Sequence, residues 1–183
     1  KYKILTCLHK FYTDNEIISE FNLRKNKNET MDPNLFIIST GIGKDELTQN
    51  LEIERLKNIF SNINCNWICI DIANGYISNL IYFCKLVRSN FPNKIIIAGN
   101  VVTKELVEDL LNNGVDIVKI GIGPGAACTT RLKAGVGMPQ LSAIIECSET
   151  ARKMGGHIVA DGGITTPGDL GKAYGAGADF IMC

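Results

Sequence analysis

The stretch Gly121-Ile-Gly-Pro-Gly-Ala-Ala-Cys128-Thr-Thr130-Arg131 follows directly on the apolar run Val115–Ile120. Three glycines let the backbone approach a ligand closely, and one thiol stands beside two hydroxyls with a guanidinium behind them. Hydroxyl and cationic neighbours favour the thiolate, which is the nucleophilic form of cysteine. Cys128 is therefore read as a nucleophile rather than as the small core residue that most lone cysteines are. The same loop contains a nominal G-x-G-x-x-A, but Pro124 interrupts the turn and the dinucleotide fingerprint is discounted. Glycine-rich backbone can equally present N–H or C=O groups to a ligand or ion.

Other chemistry-bearing residues also sit where apolar runs end. Asp161-Gly162-Gly163 offers a carboxylate able to accept both hydroxyls of a ribose, followed by free glycine N–H groups able to meet a phosphate. A helix cap at Asp161 is the competing reading, and the separate helix start at Pro167-Gly168-Asp169 weakens it. Asp71-Ile72-Ala73-Asn74-Gly75-Tyr76 and His9-Lys10 are further polar ends. Taken singly, neither names a reaction. His9 and His157 lack metal-ligand spacing to any partner.

These groups need a scaffold that delivers them to one place. Apolar runs at Tyr2–Leu8, Leu35–Ile38, Trp67–Ile72, Lys94–Ala98, Ile117–Ile120, His157–Ala160 and Phe180–Met182 are apolar throughout, as in parallel strands covered on both faces. Helical patterns at Asp45–Phe60, Ser78–Asn90, Thr103–Asn113, Pro139–Met154 and Pro167–Tyr174 alternate with them. Strand onsets recur about every 30 residues, the spacing of a barrel that divides roughly 250 residues among eight strand–helix units. The expectation is an α/β fold, a (β/α)8 TIM barrel of which seven of eight strands are visible. Residues 1–183 would be a single barrel domain, an eight-stranded barrel truncated at both ends. An open doubly wound sheet is the alternative. Polar residues follow nearly every strand, including Ser39-Thr40-Gly41 and Gly99-Asn100, and barrel enzymes build their sites at those ends. Fourteen of the 18 glycines lie between 114 and 177, so backbone should approach a ligand most closely in that half. Arg24–Asn34, polar and containing Asp-Pro, reads as an exposed loop.

Composition removes several functions. The formal charge is zero, with 19 acidic and 19 basic residues, which leaves no electrostatic footprint for nucleic acid. No apolar run reaches the roughly 18 residues of a membrane span, and the first residues carry too short an apolar core for a signal peptide. Seven cysteines without a CxxC pair point to reduced thiols and a cytoplasmic setting rather than a disulfide framework or zinc site.

The cysteine loop, the run Gly135-x-Gly137-x-Pro139-Gln140 that follows it, the segment Ala98-Gly-Asn-Val-Val-Thr103 and Asp161-Gly-Gly163 together resemble the IMP dehydrogenase/GMP reductase family. Leu8-His9-Lys10-Phe11-Tyr12, Asp71–Tyr76, Gln140–Ala143 and Glu146-Cys147 are similar to its reductase branch, whereas Ala126-Ala127, Met138 and Ile164-Thr165 depart from that branch's usual residues. The resemblance implies NADPH-dependent conversion of GMP to IMP with release of ammonia. The alternative is the sister oxidation of IMP to XMP with NAD. It also implies roles. Cys128 would attack the purine and form a thioimidate, and Thr130 would relay a proton with a glutamate beyond residue 183. Lys10, Asp71, Ile72, Ala73, Ile122 and Gly123 would contact NADPH. Asp161, Gly162 and Gly163 would contact the nucleotide. Gly123, Gly125, Cys128 and Arg131 would offer carbonyls to a potassium ion. A single catalytic barrel domain over residues 1–183, lacking its first strand and the C-terminal flap, is implied as well, as is a homotetramer acting in purine nucleotide salvage.

Overall fold

The computed structural model describes residues 4–27 and 32–183. Seven strands form one sheet: β1 (Thr6–Leu8), β2 (Phe36–Thr40), β3 (Trp67–Asp71), β4 (Ile95–Val101), β5 (Ile117–Ile120), β6 (His157–Asp161) and β7 (Phe180–Met182). Every neighbouring pair is parallel. The spatial order is β1-β2-β3-β4-β5-β6-β7, which never reverses. A doubly wound sheet must reverse its order at a switch point, so that alternative is excluded. The molecule is the curled sheet of a TIM barrel, without a β7–β1 pairing among the described residues.

Helices fill the crossovers: α1 (Asp14–Asn26), α2 (Glu46–Asn62), α3 (Ser78–Asn90), α4 (Lys104–Asn112), the short α5 (Thr130–Ala134), α6 (Gln140–Lys153) and α7 (Pro167–Gly175). Helical periodicity selects their buried faces. On α3, Leu80, Phe83, Cys84 and Val87 are buried at i, i+3, i+4 and i+7. Each large apolar side chain so buried contributes about 1.5–3 kcal/mol.

The period of two along each strand produces two different faces. Ile38, Ile68, Ile70, Ile96, Val118 and Ile158 face the helices and join the main core. Ile37, Cys69, Ile97, Ile117 and Val159 form a second, smaller cluster inside the curl. Two residues further along three of these strands, the inner face carries Asp71, Lys119 and Asp161 instead. The barrel interior thus changes from apolar to charged at the C-terminal ends of β3, β5 and β6.

Four local expectations are corrected. Gly99 and Asn100 do not follow β4; they lie within it, where the register shifts between Gly99 and Val101. Arg24–Asn26 belong to the last turn of α1 rather than to a loop, and Pro33–Leu35 form a 3-10 turn. Asn28–Met31 of that segment lie outside the described residues, as do Lys1–Lys3 of the first apolar run. Within the described part of that run, only Thr6–Leu8 are strand. Helix α1 leaves almost no periodic trace because Ile17 is its one buried residue; its start is set by a capping box between Thr13 and Glu16.

Candidate functional site

The C-terminal strand ends enclose a cleft of about 280 Å³. Lys10 follows β1, Asp71 ends β3, Lys119 lies in β5 and Asp161 ends β6, so four separate strands deliver one set of charges. The Lys119 ammonium lies 2.7 Å from Asp71 Oδ1 and 3.0 Å from Asp161 Oδ2. Lys10 Nζ donates to the Asp71 carbonyl at 2.9 Å and stands 3.4 Å from Asp71 Oδ2. Asn100 Nδ2 donates to Asp161 Oδ2 at 2.9 Å and to the Gly121 carbonyl at 2.7 Å.

Lys119 keeps its charge although its side chain is only 4% exposed. Burial opposes the ammonium, but the Asp161 and Asp71 carboxylates outweigh it and raise its pKa. Asp71 mirrors this balance. Burial works against its charge, while Lys119 and then Lys10 hold the carboxyl below its usual value. A carboxylate pair sharing one buried ammonium is held in orientation, since removing the cation would leave uncompensated charge.

Cys128 projects at the rim of the same cleft and is exposed. Its sulfur lies 3.2 Å from Thr130 Oγ1. The Thr130 hydroxyl, the Thr130 backbone N–H and the Arg131 charge lower the thiol's pKa. Its N–H donates to the Gly125 carbonyl at 3.0 Å, closing the turn that presents the sulfur. Thr130 and Arg131 belong to the first turn of α5, so the expected loop ends at Thr129.

Two glycines allow this loop to close over the strand ends. Gly121 has φ +141°, and a Cβ there would stand 2.3 Å from the Asp161 carbonyl oxygen. Gly123 has φ +80°, and a Cβ there would meet Arg131 Cγ at 2.8 Å. Arg131 packs in that space and donates to the Met138 carbonyl at 2.9 Å, tying α5 to the segment that leads into α6. Gln140, the first residue of α6, donates to the Ile120 carbonyl at 2.9 Å and the Asp161 carbonyl at 3.2 Å, tying β5 to β6.

Most of the sequence-predicted residues converge. Lys10, Asp71, Ile72 and Ala73 line one side of the cleft; Gly123, Gly125, Cys128 and Thr130 line the loop side; Asp161 and Gly162 line the third. Ile122 is buried beneath the loop, and Gly163 packs against Pro124 just outside the lining. Asp161 caps no helix, because α7 is capped by Thr166 with Asp169. His9 contacts Phe11, and His157 faces Asp179 at the opposite end of its strand. Tyr76 is structural here: its hydroxyl donates to Thr103 Oγ1 at 2.9 Å and accepts the Val102 N–H. Sequence reasoning missed Lys119. Its signal was a single charge inside an otherwise apolar strand, where an unpaired lysine would not be tolerated.

Among the described residues, no cluster of three or more His, Cys, Asp or Glu side chains is arranged to hold a metal ion. The expected set at Gly123, Gly125, Cys128 and Arg131 would instead use backbone carbonyls, hard oxygen donors that suit a monovalent cation. The closed turn and the Gly123–Arg131 contact place those four residues at one end of the loop.

Comparison with known proteins agrees with this fold. A family model described as the IMP dehydrogenase / GMP reductase domain matches residues 5–183. The chain is 49% identical over 183 residues to the GMP reductase of Buchnera aphidicola subsp. Schizaphis graminum (strain Sg), covering 100% of this chain and 50% of that protein. It is 53% identical over 146 residues to GMP reductase 1 of Mus musculus, covering 79% of this chain and 41% of that one. The crystal structure of GMP reductase C318A from Trypanosoma brucei superposes with a TM-score of 0.74 at 37% identity, over 89% of this chain and 36% of that one. The chain thus spans about half the length, or less, of these relatives.

Proposed function

Because the chain belongs to the IMP dehydrogenase / GMP reductase domain family, we propose that it carries the catalytic cleft of an NADPH-dependent reductase that converts GMP to IMP and ammonia. The observation that supports this most is the exposed Cys128, with Thr130 at 3.2 Å, on the rim of a cleft that also holds Asp71 and Asp161.

Cys128 as thiolate adds to purine C2, forming a C–S bond. The 2-amino group takes up a proton and leaves as ammonia, which gives a thioimidate on the sulfur. Thr130, in hydrogen-bond reach of that sulfur, holds and passes the proton on the departing nitrogen. Lys10, Asp71, Ile72, Ala73, Ile122 and Gly123 would hold NADPH, which would supply hydride to the same carbon. The C–S bond then breaks, returning the thiolate and releasing IMP. Asp161 accepts the ribose hydroxyls through the oxygen not taken by Lys119, while the N–H groups of Gly162 and Gly163 meet the phosphate. Carbonyls of Gly123, Gly125, Cys128 and Arg131 would hold a potassium ion, whose charge would fix the loop that aims the sulfur.

The test follows nicotinamide absorbance with the intact protein. GMP-dependent loss of NADPH supports the reductase. NADH formation from IMP and NAD makes it a dehydrogenase, and silence in both assays removes the enzymatic reading.

A further inference from the structure

We propose that Lys119 is a positioning residue that couples the two halves of the cleft, its single ammonium orienting Asp71 on the dinucleotide side and Asp161 on the nucleotide side. This rests on the functional reading above, which assigns those sides but gives Lys119 no part. Lys10, Asp71, Lys119 and Asp161 alternate in sign across the barrel mouth, and each is paired with the next. Lys119 sits at the centre of that row, with its side chain 4% exposed, so neither water nor ligand replaces it readily.

An ammonium has three N–H donors, and two of these are committed to the carboxylates of different strands. Asp161 Oδ2 is occupied twice, by Lys119 and by Asn100, which leaves Oδ1 for a ligand. Hydroxyl donors from a nucleotide on Asp161 compete with the ammonium for that carboxylate's charge. Lys119 then leans on Asp71 and fixes its orientation for the dinucleotide. Occupying one half therefore strengthens binding in the other, and thermodynamic linkage makes the factor equal in both directions.

The test is NADPH titration, followed by its fluorescence, with and without IMP, a pair that leaves no hydride to transfer. In the wild type IMP tightens NADPH binding on the order of tenfold. In Lys119→Met that ratio falls to about one, and Lys119→Arg, which can still bridge two carboxylates, restores it. The same Met variant leaves Asp71 with Lys10 as its cationic partner among the described residues and with the Cys7 and Cys69 thiols in electrostatic range. Its NADPH affinity then declines at a higher pH than in the wild type as pH is lowered, because Asp71 protonates more readily. A merely structural lysine would weaken both ligands at every pH without changing the ratio.

A folded Lys119→Met that keeps the tenfold ratio overturns the proposal. Where that variant does not fold, Asp71→Asn decides: releasing Lys119 entirely to Asp161 shifts IMP affinity severalfold without any dinucleotide, and an unchanged IMP affinity overturns the coupling. Wild-type protein that binds both ligands with a ratio of one removes the coupling alone. Wild-type protein that binds neither removes the functional reading and the coupling with it.

Discussion

The Cys128 sulfur lies 3.2 Å from the Thr130 hydroxyl on an exposed turn, with the thiol donating to the hydroxyl oxygen. If they act as nucleophile and proton relay, their substitutions separate. Cys128→Ala lowers kcat by about four orders of magnitude or more while GMP binding survives. Thr130→Val lowers kcat roughly a hundredfold with a small change in KM. Steady-state kinetics and equilibrium binding on the two variants check this, and turnover by Cys128→Ala excludes the nucleophile.

Thiol reactivity should sort by environment. Burial pushes Cys84 up to about 12, and burial with Glu146 and Glu105 does the same for Cys147. Cys128 is exposed and lowered by its Thr130 hydrogen bonds. Iodoacetamide on the native protein at neutral pH should label Cys128 well ahead of Cys84 and Cys147, which react only in denaturant. Peptide mass mapping reads the order directly.

The sequence made the barrel legible because its strands are apolar on both faces and recur at even spacing. β5, β7 and α3 carry the predicted bounds; β5 stops at Gly121, and α3 ends in the polar run Arg88-Ser89-Asn90 just ahead of Pro92. The cysteine loop and Asp161-Gly162-Gly163 were visible for a related reason: a thiol between hydroxyls and a guanidinium, or a carboxylate before two glycines, is more than a plain turn after a buried strand requires. Lys119 was hidden by that same logic. One charge among Ile117, Val118 and Ile120 does not break an apolar run, and only the three-dimensional sheet shows that two carboxylates from β3 and β6 receive it. Helix α1 stayed hidden because its turn-by-turn burial is too slight to leave a period.

Asp71 ties stability to pH. Its folded carboxyl lies below its usual value, so it contributes stability above the unfolded pKa, and this is lost as pH falls through the depressed folded value. Thermal unfolding of the wild type should therefore lose stability on acidification through the carboxylate range. In Asp71→Asn that part of the loss is absent and the melting temperature varies less with pH. Equal slopes for both proteins contradict the Asp71–Lys119 pairing.

The outer core should fail by packing alone. Phe83 is fully buried between α3 and the sheet. Phe83→Ala should cost about 3–5 kcal/mol, measured by denaturant unfolding, while pulling no charged group from the cleft.

The most direct measurement of the central claim is intact-protein mass spectrometry after incubation with GMP in the absence of NADPH, with ammonia assayed in parallel. The account predicts a nucleotide adduct on the peptide bearing Cys128, one ammonia released per adduct, and loss of the adduct as IMP when NADPH is added. Ammonia release without a Cys128 adduct, or an adduct that persists in Cys128→Ala, would contradict it.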